Sequence, residues 1–464
     1  MSCLSRDPGA TTIVPPPCSH RLAAACALVA GATLALPSLA LAQNPTAAPR
    51  QDQGVAIVHA TIHPMTQGEP TIADGFALFS DGKIVAVGES ATMPQVDGYV
   101  IQDATGLHLY PGLVAIGSPM GLIEVDQVRS TDDRSELGQW HPETIAAVAV
   151  NPDSELIPVS RSNGILTSIS FPGGGTICGH ASALRMDGWT TEDLTIKPRT
   201  GLVIKWPATE PLMRVGFRNR GAQAGRSAET IEQIDQFFDD AKSWADARAA
   251  DPTTVIDLRY DRVQAVLAGT EPVIIDASSA GQIESAVLWA SKRGFKAIIM
   301  GGSGAVEVAE LLKRHDVPVV IRGTLALPRL PDEPYDAPFS LPARLRDAGV
   351  RYCIAPVGDS LGGDASNDRW LPHNAGVAVA HGLTPDQAMA AITRDAATIM
   401  GLGESLGTLE PGKSATIILT SGSPLDIRTE VVGAWIDGRR IQLHNNQDLL
   451  EQRYREKYRQ LAEP

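Results

Sequence analysis

The sequence predicts an α/β protein, a barrel of repeated strand–helix units set into a small β domain that is written in two pieces. Two observations carry that expectation. Short apolar strands separated by turn dipeptides occur near both ends, at 54–115 and 402–442, and neither set alone has enough strands to bury a face. Between them, apolar runs alternate with helical periodicity, which is the text of βα units and a parallel sheet. Several such units in succession inside one domain predict a barrel.

Residues 1–42 read as a secretory signal peptide and not as part of the fold. Arg21 leads the apolar stretch Leu22 to Leu36, and Ala40-Leu41-Ala42 stands before Gln43. The stretch is shorter than the ~20 apolar residues that span a bilayer. Export, to the periplasm, is therefore expected. Residues 43–53 are polar and read as a linker. From Gly54 the strands begin: Val55 to Val58, Ala77 to Phe79 and Lys83 to Val87, with Asp81-Gly82 as a hairpin turn. Ala415 to Leu419 and Val431 to Ile436 repeat that style, with Asp437-Gly438 as the turn.

The barrel is expected over 116–401. Its strands read as Pro272–Ile275, Lys296–Met300, Val317–Ile321 and Arg351–Ala355. Ile283, Val287 and Ala290 recur near helical spacing between the first two, as Val308, Leu311 and Leu312 do between the next two. Thr384-Pro385-x-Gln387 marks a helix start, with a capping hydroxyl, a first-turn proline and a glutamine that reaches back. The charged tail 443–464, with Leu449, Leu450 and Tyr454 interspersed, reads as a terminal polar helix.

Composition narrows the function classes. The 464 residues carry Lys+Arg 39 against Asp+Glu 53, a net charge of −14, which argues against nucleic acid or an anionic membrane surface as the main partner. No run after the signal is apolar enough to span a membrane, and oligomeric state is not legible. The partner expected of a barrel is a small-molecule ligand or substrate at its mouth. Five cysteines are too few for a disulfide scaffold. Only Cys178 and Cys353 lie beyond the signal, and whether they pair stays open.

Several motifs weaken on inspection. Gly407 to Ser414 fits the phosphate-loop pattern, but a strand follows it where a helix is required, and Pro411 removes an amide donor. Gly173-Gly174-Gly175 lacks the strand–glycine–helix context of a dinucleotide site and reads as a flexible loop beside an opening. Ser303 misses the nucleophile elbow because Ala305 stands where glycine is needed. There is no HxH or HExxH pair; His59 and His63 lie four apart in a strand-like stretch. Most histidines read as surface or packing residues. His180, after the glycine loop, is the one candidate for a site.

Together, DGKIVAVGES, LYPGLV at 109–114, HGLTPDQAMAAIT at 381–393 and LGTLEPGKSATIIL at 406–419 resemble the amidohydrolase superfamily, in its imidazolonepropionase-like branch. The resemblance covers nearly all of 54–442 in the right order. It implies a (β/α)8-type, TIM-like barrel with a composite β-sandwich built from both chain ends. It also implies hydrolysis of amide or other non-peptide C–N bonds with one or two divalent metals at the barrel mouth. The metal positions depart from the pattern. Where the family carries two histidines after PGLV, this chain has Gly117 and Pro119; later histidine positions hold Asp276, Ser278 and Gly301. Asp359 stands at the strand-eight aspartate. Asp359 and Asp276, with His180 as a further candidate, are thus the expected catalytic residues. No zinc is expected, and a weak, carboxylate-lined magnesium or calcium site stays open. A hydrolase with an atypical or degenerate metal site is the first reading. A non-catalytic small-molecule binding or scaffold protein is the alternative.

Overall fold

The computed structural model describes residues 46–125, 128–208, 220–328, 333–356 and 365–462, with side chains in the helix Arg220–Ala250 described from 225 onward. Gln43–Pro464 form one compact unit. No described helix is long and apolar enough to cross a membrane.

Two sheets organise the compact unit. The first joins both ends of the chain. From the N-terminal end it takes β1 (Val55–Ile62), β2 (Ile72–Ser80), β3 (Lys83–Glu89), β4 (Val100–Asp103) and β5 (His108–Pro111). The second sheet contains β6 (Leu113–Ser118), β7 (Ile165–Ser170), β8 (Ile177–Arg185), β9 (Thr195–Lys205) and β10 (Val273–Ala277). It continues with β11 (Ala297–Gly301), β12 (Val319–Arg322) and β13 (Tyr352–Ala355). The chain then returns to the first sheet with β14 (Ile417–Thr420), β15 (Val431–Ile436) and β16 (Arg439–Arg440). Order in the first sheet is β16-β15-β14-β5-β1-β2-β3, with β4 also on β1. Thus β14, far along the chain, bonds antiparallel to β5. Both predicted turns use left-handed backbone at Asp81-Gly82 and Asp437-Gly438, the conformation that two-residue hairpins demand.

The second sheet is a nearly closed barrel of eight strands in sequence order, with β6 and β13 meeting at the seam. The four strands expected over 272–355 are β10 to β13, all parallel neighbours. The crossover helix Ala280–Arg293 has a full capping box, Ser279 with Gln282, and ends on Gly294 at φ +71°. Thr384 and Gln387 make the second predicted box. One strand departs from simple βα repetition. β8 runs antiparallel to both β7 and β9, because Phe171–Thr176 turns β7 directly back without a crossover helix. The triple glycine is that turn: Gly174 and Gly175 sit at φ +78° and +64°. The loop expected there is thus the corner between β7 and β8.

Side chains alternate across the barrel strands. Val114, Ile116, Val203, Ile274, Ile298, Val320 and Cys353 fill the interior, whereas Val273, Ile275, Ile299, Val319 and Ile321 pack outward against the helices. The long helix Arg220–Ala250, absent from the sequence reading, joins that outer layer through buried Ile234, Phe238 and Ala241. The expected linker is partly structural: Ala47 and Ala48 are buried, and the Ala48 amide donates to Asp187 Oδ2 at 2.9 Å. The tail forms the exposed helix Asn446–Ala462.

Candidate functional site

Charges that close apolar strands build the barrel mouth. β9 ends on Lys205, β12 ends on Arg322, and β10 carries Asp276 next to its last residue. Two residues earlier, Val203, Val320 and Ile274 all face the interior, so alternation turns the three charged side chains inward at the C-terminal rim. Asp276 pairs in register with Lys205 on one side and Met300 on the other. Arg322 Nη2 donates to Asp276 Oδ1 at 2.6 Å, and the two side chains are 12% and 20% exposed. Arg322 Nε is buried with no hydrogen-bond partner among the described residues. Cys178 opens β8 beside this group. Burial pushes its thiol up to about 12, while Lys205 pulls it down and Asp276 raises it. It is therefore no nucleophile at neutral pH. Cys178 and Cys353 are both free thiols.

The family's metal-ligand positions lie at the same rim but are filled differently. Gly117 adopts φ +83°, and a Cβ there would stand 2.2 Å from Met300 Cε, so the methionine occupies the space of a first-strand side chain. Pro119 follows β6, buried, and offers only a carbonyl, which accepts from the Leu122 amide. Gly301, at φ +109°, leaves room for Ser278 Oγ, 2.7 Å from where its Cβ would be. The Ser278 carbonyl accepts from Ser303 Oγ and from the Gly304 amide, which places Ser303 in a turn. Asp359 lies outside the described residues.

His180 does not join the mouth. It sits in β8 and not in a loop, opposite Leu202, which in turn pairs with Val273 on the outward-packing face. Its Nδ1 bonds Glu271 Oε1 at 2.6 Å, both side chains are buried, and its Nε2 has no partner among the described residues. The sequence placed it after a glycine loop without showing that the loop was a hairpin turn. His59 and His63 are not evenly spaced strand neighbours either. His59 is the left-handed residue of a bulge, bonded to Asp74, whereas His63 stacks on Tyr110 and bonds His108 at 3.0 Å.

A divalent ion does not fit the described part of this mouth. The rim carboxylate, Asp276, is already bonded to an arginine, and a lysine stands beside it. Tight sites need three or four donors, and a cation here would face two positive side chains. No group of three or more His, Cys, Asp or Glu among the described residues could hold a metal. What the arrangement can do is receive negative charge or a polarised carbonyl oxygen. Lys205 and Arg322 were legible as charges ending apolar strands, and that signal was available before the structure.

Comparisons with known proteins agree with this architecture. Residues 356–442 match the model of an amidohydrolase family. Amidohydrolase tasK of Hapsidospora irregularis is 23% identical over 402 residues, which is 78% of this chain but 39% of that relative's length. An amidohydrolase from Thermotoga maritima MSB8 superposes with a TM-score of 0.72 at 24% identity, covering 84% of this chain and 99% of that one. Molinate hydrolase superposes with a TM-score of 0.53 at 14% identity, covering 85% and 96%.

Proposed function

We propose that the chain is a member of the amidohydrolase superfamily and that it hydrolyses non-peptide carbon–nitrogen bonds of a small molecule at a mouth without the histidine-held metal. The observation that carries the reading is the Arg322–Asp276 pair, with Lys205 in register, at the C-terminal rim where barrel enzymes place their chemistry. In this reading Arg322 and Lys205 hold the substrate's carbonyl oxygen and stabilise the charge that develops on it. Asp276 is the described carboxylate placed to accept a proton from water.

The same pair also favours the second reading, a non-catalytic binding protein. A carboxylate anchored by guanidinium at 2.6 Å is a charge partner first and a base second. A screen of amides and imides, run with and without chelator on protein whose metal content is measured, separates the two. Hydrolysis predicts turnover that survives chelation and falls on the order of 100-fold or more in Asp276→Asn. Binding alone predicts saturable ligand uptake with no turnover. Stoichiometric zinc that is required for turnover would overturn both. We propose export as well, with the mature chain starting near Gln43. N-terminal sequencing of the exported protein tests it, and retention of Met1 to Ala42 would refute it.

A further inference from the structure

The opposite end of the barrel carries a cavity that neither the superfamily reading nor the mouth explains. It encloses about 440 Å³, within the range of small-molecule pockets. Its wall comes from the segments that enter the strands: Thr270 before β10, Lys296 before β11, His315 and Asp316 before β12, Arg351 before β13, and Lys197 early in β9. The turn at Thr398–Gly401 closes one side.

Charge is concentrated there. Three cationic side chains meet one carboxylate, Asp316, in a chain whose net charge is −14. Asp316 is taken by Arg351 at 2.8 Å. Asp395, in the adjoining cavity, is bonded to Arg394 at 2.8 Å, and Glu271, between Thr270 and Pro272, is bonded to His180 at 2.6 Å. Neither Lys197 nor Lys296 has an ion-pair partner among the described residues. Gly401 makes the space for the first of them, since a Cβ there would stand 3.3 Å from Lys197 Nζ.

The hydroxyls of the wall add a second constraint. Thr200, Thr270 and Thr398 each donate their proton to a backbone carbonyl, of Ala181, Ala265 and Arg394. Their oxygens can therefore only accept, so they suit hydroxyl groups of a ligand and not its anionic oxygens. The lysines suit the anion. Phe295, Ile298 and Met400 line the remainder and suit a carbon skeleton.

We propose that this end of the barrel binds a small hydroxyl-bearing anion, a phosphorylated or carboxylated polyol, at a site separate from the mouth. Calorimetric titration of the full chain with glucose 6-phosphate, gluconate, inorganic phosphate and glucose tests it. The expected result is that glucose 6-phosphate or gluconate binds more tightly than phosphate, and that glucose does not bind. Whichever of the two is tighter identifies the anion as phosphate or carboxylate. The double variant Lys197→Gln, Lys296→Gln should weaken that binding by at least ~10-fold, with the unliganded melting transition unchanged. Lys292→Gln, on the exposed face of the crossover helix, should leave it intact. Absence of binding by every anion tighter than about 1 mM overturns the proposal, as does unchanged affinity in the double variant. So does loss of binding in Arg322→Gln, which would move the anion to the mouth.

Discussion

At Gly117 the backbone itself resists a side chain. Its left-handed φ of +83° strains any residue but glycine, and the Met300 methyl, 2.2 Å from where a Cβ would be, would have to swing aside. Restoring the family residue by Gly117→His should therefore cost roughly 1–3 kcal/mol and gain no zinc, checked by urea unfolding and metal analysis. Asp187 presents the converse case, a charge the fold cannot lose. It accepts from Arg161 Nη1 at 2.7 Å and from the Ala48 amide, with both side chains of the ion pair essentially buried. Asp187→Ala leaves the guanidinium buried and unpaired, and stability measured by denaturant should fall by ~3–5 kcal/mol. The mouth residues were partly legible at this scale. Asp276 and the vacated positions Gly117, Ser278 and Gly301 could be read from motif text. Lys205 and Arg322 could not be linked to Asp276, because register between distant strands is a property of the closed sheet. His180 misled for a related reason: local text does not say which face of a strand a residue occupies.

Single elements were easiest to read where local chemistry and tertiary demand agree. Ser279 with Gln282, Thr384 with Gln387, and the two Asp-Gly turns each act within a few residues, so their signatures survive in one dimension. β8 was harder. Strands β7 and β8 are buried on nearly every residue, and text without polar–apolar alternation does not distinguish a parallel crossover from a hairpin. The helix Arg220–Ala250 had a signal in Ile234, Phe238 and Ala241, diluted by the polar residues around them. The strand pair β1 and β5 also sets a pH dependence. His63 is lowered to about 4 from 6.5, first by burial and then by His108 beside it. The fold thus accepts the neutral ring, and between these values the unfolded chain binds more protons. This contribution to stability is full above pH 6.5 and is lost as pH falls toward 4, with no further loss from this group below that. The unfolding free energy from chemical denaturation should decline across that window by on the order of 1–2 kcal/mol. In His63→Gln that part of the slope should disappear.

For the whole molecule, the decisive element is β14, because it serves both cores at once. Ile417 and Leu419 pack with Leu109, Phe79 and Trp435 inside the first sheet. Ile418, pointing the other way, joins the cluster that holds Leu113 and Ile165 of the barrel. A strand buried on both faces near the chain's end binds the two parts into one cooperative body. A chain ending at Gly401 loses β14, β15 and β16 together. It bares the β5 edge, where Leu109, Tyr110 and Pro111 had faced Leu419, Ile418 and Ile417. It also strips Trp435 from its edge-on contact with Phe79, at 5.8 Å between ring centres. An open apolar edge of that kind pairs with other chains. The truncated protein should therefore aggregate, and its soluble fraction should bind a hydrophobic dye and melt without a sharp transition. A soluble monomer that melts cooperatively at the full-length temperature would show instead that the barrel folds alone and that the C-terminal strands are an appendage.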